Sequence, residues 1–287
     1  MSLVTRFAPS PTGLLHLGNA YSAMLASDLA TSSGGRLLLR IEDIDQTRCR
    51  PDYEAAVLED LAWLGLEWEQ PVRRQSDHFA DYAAVLDRLR EMGVLYRCFL
   101  SRKELAEASL GAPHGSEASP PAPPRISADE EAERLARGDA FAWRLSTSYS
   151  QDLLGEEFAR LEFEEQGSGP NGERGRVRAD PGRLGDVILG RKDTPASYHV
   201  AVVHDDALQA VTHVVRGNDL FESTHIHVLL QKLLGLPTPI YRHHRLLTGP
   251  DGRRFAKRDA SLTLRALREA GSTPHDIRAR CGLPESP

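Results

Sequence analysis

Cysteine is scarce. The 287-residue chain has three, Cys49, Cys98 and Cys281, far apart and odd in number. That count excludes a disulfide framework and makes a reducing cytoplasm the expected compartment. No apolar run is long enough to cross a membrane, and the first residues lack the hydrophobic core of a secretory signal, so no membrane partner is expected. Positive charge is not in excess either. Lys and Arg total 35 against 41 Asp and Glu, a formal net charge of −6. This excludes binding driven by an overall basic field, and any contact with nucleic acid has to come from local patches. Arg73-Arg74, Arg242 to Arg245 and Arg253 to Arg258 are the candidates, with a solvated surface the plainer reading of the first. No internal repeat is visible.

What is present is the composition of a globular protein, 40% hydrophobic and 26% charged. The length suggests about two domains with a sizeable core. Residues 1 to about 95 alternate strand and helix signals. Arg36 to Ile41 reads as a buried strand. Val57, Leu58, Leu61 and Leu64 form a helical stripe, as do Tyr82, Val85, Leu86 and Leu89. Such β/α alternation predicts an α/β fold with a parallel sheet covered by helices. After Cys98 the character changes. Ser101 to Glu104 has the pattern of a capping box, Leu110 to Pro124 reads as a flexible loop, and Gln166 to Arg176 reads as a second loop. Between the loops, Ala140 to Leu145 and Glu157 to Glu164 are strands or short helices. Strand signals return at Val187 to Leu189, Tyr198 to Val203 and Val211 to Val215, and Ile226 to Leu234 marks a helix. The expected organisation is a first half-sheet over 1–98, an inserted module over 99–182, the second half-sheet over 183–240, and a basic, partly helical segment over 241–287.

One stretch carries more information than the rest: Thr5-Arg-Phe-Ala-Pro-Ser-Pro-Thr-Gly-Leu-Leu-His-Leu-Gly-Asn19. A short apolar strand runs into a turn broken by Pro and Gly, and His16 and Gly18 then open an apolar-periodic run. Strand, turn and helix N-terminus form a geometry that receives phosphates, because free backbone N–H groups and the positive end of the dipole face the ligand. Gly18 would let a planar ring or a phosphate approach the backbone closely, and His16 would donate to a phosphate oxygen.

These residues resemble the first nucleotide-binding motif of class I aminoacyl-tRNA synthetases, the "HIGH" element, in the form His16-Leu-Gly-Asn19. The preceding Arg6 to Gly13 resembles the glutamate-activating branch. The resemblance implies the Rossmann-type parallel sheet of that class, ATP carried in with Mg²⁺ as a substrate, and L-glutamate as the amino acid. His16, Gly18 and Asn19 would bind ATP. Arg6 would pair with the side-chain carboxylate of glutamate, Ser10 would also bind it, and Glu42, at the end of the strand Leu37 to Ile41, would take its α-ammonium. A metal site of Glu42, Asp43 and Asp45 is the rival reading. By resemblance Tyr198 and Arg216 complete the glutamate pocket, although a Tyr opening a strand would otherwise be read as core. His199 and His204 are given no role.

Lys257, in Arg254-Phe-Ala-Lys-Arg258, resembles the second class I motif, "KMSKS", whose lysine stabilises the departing pyrophosphate. The departure is large: Arg254 replaces the first lysine, and Ala256 and Arg258 replace both serines. A basic surface loop is the alternative. The zinc knot common in relatives starts from a Cys-x-Cys pair, whereas here Cys98 is followed by Phe99-Leu100. No structural zinc is expected, because Cys98 and His114 cannot make a four-ligand site unaided. Full relatives also continue into a helical anticodon-binding region, for which the roughly thirty residues after Lys257 leave no room. A catalytic body without that region resembles the paralogues that pass glutamate to queuosine, the modified wobble base of tRNA(Asp). The implied partner is therefore the anticodon loop of that tRNA, held in part by Arg102, Lys103, Arg242 and Arg245. Two other readings stay open: a truncated enzyme charging the acceptor end of tRNA, and a non-catalytic tRNA-binding paralogue. A monomer is expected.

Overall fold

The computed structural model describes residues 2–100, 104, 125–191, 196–247 and 263–285. Strand β1 (Val4–Phe7) is buried throughout and leads through a turn into helix α1 (Leu17–Ser32). His16 caps that helix. Its side chain accepts the Gly18 N–H while the Asn19 side chain accepts the His16 N–H, a reciprocal box that satisfies two of the otherwise orphaned donors. Strand β2 (Arg36–Ile41) pairs parallel with β1, and β3 (Glu69–Arg74) pairs parallel with β2. The crossover helix α2 (Pro51–Trp63) starts with proline at its first position, where no N–H is needed. Helix α3 (Phe79–Glu91) buries Tyr82, Leu86 and Leu89 of the stripe read from the sequence, with Val85 half-buried.

Strand β9 (His213–Gly217), helix α7 (Phe221–Leu234) and strand β10 (Ile240–His244) form the other half of the sheet, with β9 and β10 parallel. The Thr212 N–H donates to the Val4 carbonyl at 2.9 Å, which sets β9 beside β1. From this seam the chain winds one way through α1 to β2 and the other way through α7 to β10. The crevice beyond the C-terminal ends of β1 and β9 is therefore a topological switch point, where open α/β sheets bind ligands.

The middle of the chain is antiparallel and tied to both halves. Strands β4 (Leu95–Cys98), β5 (Ala142–Leu145) and β8 (Ile188–Arg191) form one sheet. Helices α4 (Ala128–Ala136) and α5 (Thr147–Leu154) lie in the same region. The hairpin of β6 (Glu162–Glu165) and β7 (Gly175–Arg178) adds to the edge of β10. The second loop read from the sequence is the connection of this hairpin. The expected helix opening at Ser101 and the loop Leu110 to Pro124 lie outside the described residues, apart from Glu104.

One element differs in kind from its reading. Tyr198 to Val203, expected as a strand, is the start of helix α6 (Tyr198–Leu208). Val200, Ala201, Val202 and Val203 are all buried. A helix covered on every side loses its polar face, and a short β-branched run then has no period to separate it from a buried strand. At the C-terminal side, α8 (Leu264–Glu269) and α9 (Pro274–Cys281) pack back on the first half-sheet. Their Leu264, Leu267, Ile277 and Cys281 share a core with Leu17, Met24 and Val57.

Candidate active site

The switch-point crevice is a cavity of about 540 Å³ lined, among others, by Arg6, Ser10, His16, Gly18, Asn19, Glu42, Tyr198 and Arg216. All the sequence-predicted glutamate- and ATP-binding residues except Lys257 are therefore brought to one place, although they come from six separate elements and turns. Lys257 lies outside the described residues, as do Arg254 and Arg258. The flanks of that segment are at the same cavity. Leu247 lines it, and Thr263 pairs in an antiparallel bridge with His16.

At the α1 end, His16 Nδ1 accepts the Gly18 N–H at 3.1 Å, which leaves the ring proton of the neutral form on Nε2. A Cβ built on Gly18 would lie 3.0 Å from His16 Cε1. The planar group that approaches this glycine is thus the ring of His16 itself. The first turn of α1 holds no acidic residue, so its positive end is uncompensated there.

At the other end are three buried guanidinium groups. Arg40 is fully buried and divides its bonds among Asp206 at 2.8 Å, Gln209 at 3.0 Å and Glu42 at 3.1 Å. Arg6 gives its Nε–H to Asp206 Oδ1 at 3.1 Å and an Nη1–H to the Val215 carbonyl at 3.3 Å, so its Nη2 has no partner among the described residues. Arg216 has neutral partners only. It donates to Tyr198 Oη at 3.2 Å, His227 Nδ1 at 3.3 Å, Thr224 Oγ1 at 2.6 Å and His243 Nε2 at 3.1 Å. Among the described residues no carboxylate lies within ion-pair distance of it, although it is 5% exposed.

The titrating groups around Arg216 follow from burial and its charge. Burial first, and then the Arg216 guanidinium, push His227 well below the ordinary imidazole range and His199 down to about 4. His243 is also lowered, by burial against the pull of Glu165. At neutral pH these rings carry no charge, and among the described residues no anion is adjacent to Arg216. Burial raises the Tyr198 hydroxyl, which stays protonated. Burial also raises Glu42 against the pull of Arg40 and Arg6. Burial alone would raise Asp206, but Arg6 and Arg40 outweigh it and hold it low. Only one oxygen of Glu42, Oε1, is taken up by Arg40. Its Oε2 has no hydrogen bond among the described residues.

Asp43, part of the rival metal reading, accepts from the N–H and hydroxyl of Ser76, and Asp45 is capped by Thr47 and Arg48. Among the described residues no group of three or more His, Cys, Asp or Glu is placed to hold a metal ion. A second cavity, about 670 Å³, adjoins the first and shares Ser10, Glu42 and Tyr198 with it. Arg48, Arg144 and Arg191 line it together with Asp186 and His199.

Sequence reasoning missed the residues behind the pocket: Arg40, Asp206, Thr224, His227 and His243. A signal existed for Arg40, a charge inside the apolar run Leu37-Leu-Leu-Arg-Ile41, and for the adjacent acids Asp205-Asp206. Both patterns announce buried ion pairs.

The chain belongs to the class I tRNA synthetases. A family model described as "tRNA synthetases class I (E and Q), catalytic domain" matches residues 2–283. Such a domain uses ATP and is a ligase, and among the described residues no helix is long and apolar enough to cross a membrane. A protein of Rhodobacter capsulatus named glutamyl-Q tRNA(Asp) synthetase is 45% identical over 98% of this chain and 100% of its own length. One of the same name from Symbiobacterium thermophilum is 42% identical over 96% of this chain and 84% of its own. The crystal structure of a glutamate tRNA ligase from Elizabethkingia meningosepticum in complex with its amino acid superposes with a TM-score of 0.72 at 26% identity. That match covers 91% of this chain and 53% of the other, so this chain spans about half the length of that ligase.

Proposed function

We propose that this protein activates L-glutamate with ATP and transfers it to queuosine at the wobble position of tRNA(Asp). The observation that carries the first step is the charge pattern of the pocket. Among the described residues Arg216 is a buried cation with no carboxylate beside it, Arg6 has a spare Nη2, and Glu42 has a spare oxygen. An amino acid with an acidic side chain supplies the matching charges: its side-chain carboxylate for Arg6 and Arg216, and its ammonium for Glu42. A planar guanidinium holds a carboxylate through two hydrogen bonds. Tyr198 donates its hydroxyl to the same carboxylate, and Ser10 lies at the mouth.

The chemistry needs no protein nucleophile. The α-carboxylate oxygen attacks the α-phosphorus, that P–O bond forms, and the bond to pyrophosphate breaks. The protein has to hold two anions against each other and stabilise the phosphates. His16 through its Nε2–H and the positive end of the α1 dipole, at Gly18 and Asn19, serve the phosphates. Lys257 serves the departing pyrophosphate, on a segment whose two flanks meet this cavity. Mg²⁺ arrives with ATP and keeps several of its waters. No structural zinc is involved.

In the second step a queuosine hydroxyl attacks the carbonyl carbon of the adenylate, the ester bond forms, the bond from that carbon to the phosphate oxygen breaks, and AMP leaves with the hydroxyl proton passing to its phosphate or to water. The adjoining cavity supports this step. It opens on the same Ser10, Glu42 and Tyr198, and its arginines suit an anionic strand. The name shared by relatives matched over 84–100% of their own length supports queuosine as the acceptor. We assign residues 1–98 and 183–240 to the catalytic body, 99–182 to the tRNA-contacting insertion and 241–287 to the segment that carries Lys257. The protein acts as a cytoplasmic monomer.

Exchange of pyrophosphate into ATP, driven by glutamate without tRNA, tests the first step. Transfer of labelled glutamate to tRNA(Asp) with and without queuosine tests the second. Glutamate-dependent exchange followed by charging of tRNA(Glu) at its terminal ribose would replace this reading with that of a truncated acceptor-charging enzyme. Absence of exchange would leave a non-catalytic paralogue.

A further inference from the structure

Arg216 faces the pocket on one side and His243 on the other, and what stands behind His243 has no part in the function described so far. Arg216 and His243 are register partners on β9 and β10, which brings their side chains together on the same face of the sheet. His243 Nε2 accepts the Arg216 Nε–H at 3.1 Å. On the far side of the ring, His243 Nδ1 is hydrogen-bonded to Glu165 Oε2. A carboxylate can only accept, so Nδ1 carries the proton and Nε2 keeps the lone pair that Arg216 needs. The other carboxylate oxygen, Oε1, accepts the His243 N–H at 2.9 Å and the Gly167 N–H at 2.7 Å. Glu165 is 1% exposed and His243 2%, so water does not replace these bonds.

The hairpin is built to hold this carboxylate. The Gln166 N–H donates to the Tyr241 carbonyl at 2.8 Å, and the Ser168 N–H to the His243 carbonyl at 3.1 Å. At Gly167 a Cβ would lie 2.0 Å from the His243 carbonyl oxygen, which only a glycine avoids. The segment after β6 is thus pressed against the strand that carries His243.

We propose that Glu165, acting through His243, is a positioning residue for Arg216: it fixes the imidazole tautomer that accepts from the guanidinium and supplies its counter-charge from one side chain away. Placing the carboxylate there leaves the other face of Arg216 for the substrate. A carboxylate in direct contact would compete with the substrate for the same donors. The proposal rests on the reading of Arg216 as a glutamate-binding group, and it gives the inserted hairpin a role in amino-acid recognition.

Glu165→Gln keeps the shape and reverses the logic. Its oxygen stays on the two backbone donors, so its NH₂ faces Nδ1 and drives the ring proton to Nε2, against the Arg216 Nε–H. The unmatched donor predicts a rise of about tenfold in the KM for glutamate. The KM for ATP stays unchanged in the exchange assay. In the wild-type full chain, ¹⁵N-histidine NMR at neutral pH should show His243 as the neutral Nδ1–H form. If the glutamine variant does not fold, Glu165→Asp, which withdraws the carboxylate by one methylene, should give the same selective rise. An Nε2–H or doubly protonated His243 in the wild type overturns the proposal. So does an unchanged glutamate KM in the folded variant, or a parallel rise in both KM values. Wild-type protein with no glutamate-dependent exchange but an Nδ1–H His243 would instead remove the functional reading and leave the tautomer assignment standing.

Discussion

Replacing Arg216 and replacing Arg40 should have opposite consequences, though both are buried arginines of the same crevice. Arg40 is surrounded by anions: Asp206 and Glu42 accept from it, and Asp205 lies 3.8 Å away. In Arg40→Met these carboxylates lose their shared cation in a site closed to water. Removing one partner of a buried ion pair costs about 3–5 kcal/mol, so a large fall in stability is expected. Among the described residues Arg216 has no anion to strand. In Arg216→Met four neutral acceptors lose a donor, and Thr224 and Tyr198 can turn their hydroxyls to the neighbouring rings. The fold should lose no more than about 1–2 kcal/mol. The substrate loses much more, because its side-chain carboxylate then enters a buried pocket with only Arg6 as a cation. Truncating one partner of a buried, hydrogen-bonded charge pair costs about 2–5 kcal/mol, and each 1.4 kcal/mol is a factor of ten, so kcat/KM for glutamate should drop by about 30-fold to 4,000-fold. Urea unfolding and pyrophosphate exchange on the two variants measure both quantities. If Arg216→Met unfolds as readily as Arg40→Met, or retains glutamate exchange at near wild-type concentrations, Arg216 is a structural residue and the argument from its missing counter-ion is wrong.

Three other outcomes can be checked on the same protein. Gly18→Ala puts a methyl 3.0 Å from the His16 ring and should displace it, raising the KM for ATP in the exchange assay with little effect on the melting temperature. Lys257→Ala should lower kcat for exchange more than it raises either KM, since its contact strengthens as pyrophosphate departs; a normal kcat would remove the lysine from the mechanism. Asp60, fully buried on α2, has its carboxyl raised by burial to about 6 from an ordinary 3.8, so protonation favours the folded state. That stabilising contribution is complete below the unfolded value and is lost as pH rises through about 6. Asp60→Asn should therefore be more stable than wild type at pH 8, by about 2 kcal/mol, and should lose the advantage near pH 4 in thermal melts.

The sequence by itself determined those features whose physics is local. The strand, turn and helix cap around His16 follow from Pro, Gly and apolar periodicity within some twenty residues, and the structure has them in that order. The stripe at Tyr82, Leu86 and Leu89 and the strand Arg36–Ile41 are likewise set by spacing alone. Motif resemblance extended this to Arg6, Glu42 and Arg216, which meet in one cavity. Tertiary structure decided what depends on residues far apart in the chain. Tyr198 to Val203 became a helix because its surroundings bury every face, and burial on all sides erases the periodicity by which a sequence announces a helix. Whether an arginine is paired or available cannot be read from its neighbours: Arg6 and Arg40 meet Asp206 across 200 and 166 residues, and Arg216 meets no carboxylate among the described residues. The Glu165–His243–Arg216 line joins three strands, two of them through a pairing 78 residues apart in sequence. Desolvation and long-range charge contacts set the chemistry of this pocket, and both come into being only when the sheet closes.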